Sequence, residues 1–65
     1  MTYEEALEER AKISTIVKNW KALDPWHVSV IGRYNDLGSY VFCANCQDKD
    51  PGPWEMPPVP EGVEP

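Results

Sequence analysis

Apolar residues recur every three or four positions over residues 3–23, which is typical of an amphipathic helix packed on one side. Thr2 and Glu5 have the spacing of a capping box, in which two side chains satisfy backbone N–H groups at a helix start. Asp24 precedes Pro25 and predicts the end of the helix, because a residue before proline disfavours helical geometry. The predicted apolar stripe comprises Tyr3, Leu7, Ile13, Ile16, Val17, Trp20 and Leu23.

The next segment has a composition typical of β-strands. The stretches "WHVSVIGRY" (26–34) and "SYVFC" (39–43) are rich in Val, Ile, Tyr and Phe, and "NDLG" between them supplies turn residues. If the turn is centred on Asp36 and Leu37, two residues lie opposite each other on the two strands when their numbers sum to 73. One face of this hairpin would carry Val28, Val30, Gly32, Val41 and Cys43, and the other Ile31, Arg33, Tyr40 and Phe42. The sequence therefore predicts an α+β fold, with the N-terminal amphipathic helix packed on an antiparallel β-hairpin.

The last segment differs from the rest in composition. It holds six of the seven prolines, which exclude a helix and disfavour a strand. We expect residues 1–46 to form a single small helix-hairpin domain and residues 47–65 an acidic, Pro-rich tail that is extended or partly disordered. Apolar side chains in the tail would either dock on the uncovered face of the hairpin or bind a partner. The candidate partner-binding residues are Trp54, Met56, Tyr40 and Phe42.

The charge is negative and unevenly distributed. The net charge is −5 and the predicted pI is about 4.6. This disfavours direct binding to nucleic acid, which requires clustered Lys and Arg. An acidic surface that mimics nucleic acid and blocks a basic groove is one alternative. The N-terminus lacks the basic and apolar regions of a signal peptide, and the apolar runs are too short to span a bilayer, so the sequence predicts a cytoplasmic protein without membrane contact.

The two cysteines are spaced C-x-x-C at Cys43 and Cys46. In the predicted register His27 lies opposite Cys46, so zinc is a possible cofactor with Cys43, Cys46 and His27 as ligands. Asp48, Asp50, water or another chain would supply the fourth ligand. A single Cys pair plus a histidine is a weak zinc signature. The competing interpretations are ordinary packing of two thiols, and redox or disulfide chemistry.

Catalytic chemistry has little support in the sequence. The chain has one histidine, and Ser29 and Ser39 lack a nucleophile-elbow pattern. We therefore expect a non-enzymatic protein-interaction module, with a small zinc-stabilised structural module as the alternative. A helix and a hairpin make a thin core, so a homodimer is possible. The short, acidic, Trp- and Pro-rich chain resembles small accessory proteins of bacteriophages or mobile elements. That resemblance implies that the chain binds or inhibits a host protein.

Overall fold

The structure, a computed structural model, describes residues 1–19, 24–43, 45 and 49–65. It consists of two α-helices, α1 (Tyr3–Asn19) and α2 (Pro25–Phe42), which pack side by side in opposite directions. The start of α1 lies beside the end of α2, since the Tyr40 hydroxyl donates a hydrogen bond of 2.8 Å to the Met1 carbonyl. The fold of the described part is a helical hairpin followed by an extended C-terminal segment.

The first helix begins as the sequence predicts. The Thr2 amide donates to a Glu5 carboxylate oxygen at 2.8 Å, and the Glu5 amide donates to the Thr2 hydroxyl at 3.1 Å. These reciprocal bonds confirm the capping box. Ala6 and Ile13 are buried against α2, whereas Tyr3 and Leu7 are exposed. The helix ends at Asn19 within the described residues, and the predicted continuation through residues 20–23 lies outside them.

The prediction of an antiparallel β-hairpin over residues 26–43 is wrong, because this segment is the second helix. Asp24 and Pro25, interpreted as a stop signal for the first helix, are the start of the second. The Asp24 carboxylate accepts a hydrogen bond of 2.9 Å from the His27 amide, and proline occupies the first helical position. There proline loses no hydrogen bond, because the first amides of a helix have no intrahelical partner.

The core explains why residues with high strand propensity adopt a helix. The buried positions of α2 include Trp26, Val30, Leu37 and Val41. Their spacing of four, seven and four places them on one helical face, where they pack with Ala6 and Ile13. A strand would divide these side chains between two faces, so burial against α1 favours the helix over local propensity.

The C-terminal segment, residues 49–65, runs back along α2 and is called the strap below. Its beginning is held by Arg33, which donates 3.1 Å and 2.6 Å hydrogen bonds to the Pro51 and Gly52 carbonyls. Further along, the Trp26 indole N–H donates 2.8 Å to the Pro57 carbonyl. Trp54 and Val63 pack against the core. The strap thus covers one side of the helical hairpin.

Neither helix of the described chain has the length and apolar character needed to cross a membrane.

Candidate interaction surface

The side of α2 that faces away from the core carries a row of exposed or half-buried residues, called the open stripe. Successive members are separated by three or four positions, which places them on one helical face. Phe42 is 66% exposed and Val28 is 51% exposed. The open stripe consists of Val28, Ile31, Asn35, Ser39 and Phe42.

A shallow depression of about 470 Å³ lies beside the C-terminal end of the open stripe. Arg10 of α1 forms its floor, with the guanidinium carbon 3.9 Å from the centre of the Tyr34 ring and 5.0 Å from that of Phe42. The absence of a side chain at Gly38 gives Arg10 this space, because a Cβ there would lie 3.2 Å from Arg10 Nε. The depression is lined by Arg10, Asn35, Gly38, Ser39, Phe42 and Cys43.

The positively charged Arg10 guanidinium makes cation–π contacts with two aromatic rings, those of Tyr34 and Phe42. Its Nε is buried and has no hydrogen-bond partner, so the Tyr34 and Phe42 rings provide the compensating interaction through their negative faces. The Arg10 guanidinium thus contacts the Phe42 ring at the edge of the depression. An exposed aromatic residue held in one place loses little conformational entropy on binding, which suits an anchor at an interface.

The exposed surface of α2 is nearly uncharged. Among its exposed residues Asp36 alone carries a charge, and Asp36 lies outside the open stripe. The exposed surface of α1 is different, since it includes several Glu and Lys side chains. Depletion of charge around exposed aromatic and aliphatic residues is typical of the centre of protein–protein interfaces.

The four predicted partner-binding residues occupy two kinds of environment. Phe42 and Met56 are exposed, and Phe42 belongs to the open stripe. Tyr40 and Trp54 are half-buried and packed against the core. Trp54 lies with its ring centre 5.6 Å from the Arg33 guanidinium carbon. Of the two roles open to Trp54 in the sequence, docking within the chain is the one that the structure displays.

The structure separates His27 from Cys43, two of the three predicted zinc ligands. They lie at opposite ends of α2, and sixteen residues at 1.5 Å each put them about 24 Å apart. Cys43 is disulfide-bonded, and Cys46 lies outside the described residues. The argument for a shared site relied on a strand register that the helix replaces. Within the described ranges, no three His, Cys, Asp or Glu side chains are grouped closely enough for a metal ion.

His27 has a structural partner instead. It is 4% exposed, and its Nδ1 lies 2.5 Å from the second carboxylate oxygen of Asp24. Hydrogen bonds from the backbone and ring N–H groups of His27 lower the pKa of Asp24 below its ordinary value. His27 Nε2 is buried without a hydrogen-bond partner. The Asp24–His27 pair fixes the first turn of α2.

Of the open stripe, the sequence predicted only Phe42 as a partner-binding residue. It did not point to Val28, Ile31, Asn35 or Ser39, nor to Arg10 beside them. Asn35 belongs to the run "NDLG", which is typical of a turn, and no sequence pattern distinguishes Arg10 from other helix charges. The spacing of Val28, Ile31 and Asn35 is a helical signal, but it appears only once residues 25–42 are treated as a helix.

No protein family, curated protein or solved structure matches this chain.

Proposed function

We propose that the protein is a small, non-enzymatic interaction module that binds a protein partner through the open stripe of α2. The observation that supports this most is Phe42, a large apolar side chain that is 66% exposed and whose ring centre lies 5.0 Å from the Arg10 guanidinium carbon. It lies in a helix surface from which charge is nearly absent. Apolar side chains that are both exposed and clustered mark interaction sites more often than isolated ones do.

The chemistry of the chain is consistent with a binding role. Its single histidine is buried and bound to Asp24, so it is not presented to a substrate. The exposed surface of α1 and the strap is acidic, with Glu4, Glu8, Glu55 and Glu61 among the exposed residues. Attraction between these acidic residues and a basic partner surface would raise the association rate.

Site-specific photo-crosslinking tests this function. A benzophenone side chain in place of Phe42 should form a covalent protein adduct in the cells that encode the chain. The same group in place of Ser29, which is exposed on α2 but off the open stripe, is the matched control. Adducts from position 42 and few from position 29 would support binding through the open stripe. Equal adducts from both positions, or none from position 42, would overturn it.

A further inference from the structure

We propose that the depression beside Phe42 is a binding site for a small aromatic carboxylate, whose carboxylate group pairs with Arg10 and whose ring contacts Phe42. The depression shares Asn35, Ser39 and Phe42 with the open stripe. The site does not depend on the proposed protein partner, because Arg10 of α1 is its central residue and small molecules test it.

Arg10 differs from the other arginine of the chain in having no anionic partner. Arg33 is paired with Glu9 of α1. Among the described residues, none forms an ion pair with Arg10, and its buried Nε has no hydrogen-bond acceptor. A guanidinium presents five N–H donors in a fixed fork that matches the two oxygens of a carboxylate. Arg10 therefore has hydrogen-bond donors available for a bound carboxylate.

The aromatic contacts of Arg10 do not use these donors. The Tyr34 and Phe42 rings offset the positive charge through their negative faces, but a ring face supplies no oxygen to accept an N–H hydrogen bond. Gly38 leaves the guanidinium uncovered, since a Cβ there would lie 3.2 Å from Nε and 3.4 Å from Nη2. A carboxylate in the depression would add the hydrogen bonds that the rings cannot provide.

The charge of the lining favours a ligand with a single negative charge. Of the described residues that line the depression, Arg10 alone is charged. The Asn35 amide and the Ser39 hydroxyl are further donors for a carboxylate oxygen. The net charge of −5 repels a multiply charged anion more than a monoanion. A monocarboxylate therefore suits the depression better than a nucleotide or another polyphosphate.

Phe42 supplies an apolar wall next to the guanidinium. Its ring is 66% exposed, and the ring centre lies 5.0 Å from the Arg10 guanidinium carbon. A ligand that pairs with Arg10 is therefore within reach of this ring, and contact between two aromatic rings adds to the binding free energy. The volume of about 470 Å³ is in the range of small-molecule sites. These features together indicate a carboxylate attached to an aromatic ring, for which benzoate is the probe.

Titration of the isotope-labelled protein with benzoate, followed by NMR, tests the site. The two arginines give two side-chain Nε–H signals. The Arg10 signal and the Gly38 amide should shift with a dissociation constant in the millimolar range, about that of one partly exposed ion pair with an aromatic contact. The Arg33 signal should not move, because its Nε is already bonded to Glu9. Benzamide, which resembles benzoate in shape but is uncharged, should bind at least about tenfold more weakly.

Three variants assign the response to the depression. Arg10→Gln should abolish it, whereas Lys12→Gln, which makes the same change in charge on the exposed side of α1, is the matched control and should retain it. Phe42→Ala, at an exposed position, should weaken benzoate about threefold and leave acetate binding unchanged. Circular dichroism checks folding, and Phe42→Ala decides the question if Arg10→Gln unfolds.

Equal affinity for benzoate and benzamide would overturn the proposal, as would loss of the response in Lys12→Gln, or unchanged benzoate affinity in Phe42→Ala. So would the lack of a saturable shift at about 50 mM benzoate. A short peptide that ends in a free phenylalanine carboxylate distinguishes the source of the ligand. Weaker binding of the peptide than of benzoate supports a small-molecule site, and tighter binding of the peptide would overturn that assignment.

Discussion

A single guanidinium group connects three parts of the chain that are distant in sequence. Arg33 is 5% exposed, and its Nε donates a 2.6 Å hydrogen bond to a Glu9 carboxylate oxygen of α1. Its other nitrogens donate to the carbonyls of Pro51 and Gly52. The sequence could predict the Thr2–Glu5 capping box, because those residues are neighbours. It could not predict the Arg33 contacts, because they span 18 to 24 positions and depend on how the helices pack.

Replacing Arg33 with lysine should destabilise the protein by about 1.5–3 kcal/mol, the range for lost hydrogen bonds to charged groups. Lysine keeps the charge but has no planar fork to reach Glu9 and the two carbonyls together. Urea unfolding followed by tryptophan fluorescence measures the change. Lys12→Arg, on the exposed side of α1, is the control and should change the unfolding free energy by less than about 0.5 kcal/mol. Equal effects from the two variants would contradict the role of Arg33.

The stability of the protein should decrease at acidic pH because of Asp24. Its pKa is lowered in the folded state, first by the His27 backbone amide and then by the His27 ring, from an ordinary value of 3.8. The folded protein therefore favours the ionised Asp24 carboxylate, which adds to stability at pH values above the pKa that Asp24 has in the unfolded chain. This stabilisation is lost as the pH falls through the pKa of Asp24 in the folded protein. We expect the urea concentration at the unfolding midpoint to decrease as the pH is lowered below about 4. Asp24→Asn should make this loss of stability smaller. Part of it should remain, because the pKa values of Glu5 and Asp50 are also lowered in the folded protein. An unchanged acid dependence in Asp24→Asn would contradict the role of Asp24.

At the scale of elements, α2 shows which local signals fail and why. Its β-branched and aromatic residues, and the run from Asn35 to Gly38, are typical of strands and turns. The structure places them in a helix because the four apolar core positions of α2, from Trp26 to Val41, share one helical face against α1. Asp24 and Pro25 do mark a helix boundary, but the sequence does not show whether a helix ends or begins there. The same dipeptide ends one helix or starts the next.

Gly32→Ala tests the helical assignment of α2. Gly32 is exposed, and a Cβ at this position meets no other atom within 4 Å. In a helix interior alanine is more stable than glycine by about 1 kcal/mol, so the variant should unfold at a higher urea concentration. A destabilised Gly32→Ala variant would contradict a helix at this position.

The strap should contribute to stability through Trp54. This side chain is half-buried against the core and beside Arg33, so Trp54→Ala should cost about 2 kcal/mol of unfolding free energy. Met56, two residues further along, is 45% exposed, and Met56→Ala should change stability by less than about 0.5 kcal/mol. Calorimetry or urea unfolding of both variants measures the difference. A fully stable Trp54→Ala variant would show that the strap is not part of the folded core.

At the scale of the whole molecule, the strap serves as the second layer that two helices need to enclose a core. The predicted helix and hairpin would have had a thin core, for which a homodimer, a bound metal or a docked tail could compensate. In the described structure the tail provides cover on one side, through Trp26, Arg33 and Trp54. Whether the tail docks on the helices depends on tertiary contacts between segments that are distant in sequence. The pattern of residues along the chain does not show those contacts.

Cys43 should resist alkylation until the protein is reduced. The structure places it in a disulfide bond, so a thiol reagent should add no mass to the folded protein in the absence of reductant. After reduction, intact mass spectrometry should show two added groups, one for each cysteine of the chain. Ready alkylation without reductant would show that the thiols are free and would restore them as possible zinc ligands.

The strap contacts have a consequence for how this sequence can change over evolution. Arg33 and Trp26 bind the carbonyls of residues 51, 52 and 57, and every amino acid has a carbonyl. Positions 51 and 57 can therefore change without loss of the bonds, whereas Gly52 is constrained by its positive φ of 74°. The contacts depend on the side chains of Glu9, Trp26 and Arg33, so the fold should tolerate new side chains in the strap better than changes at these three positions.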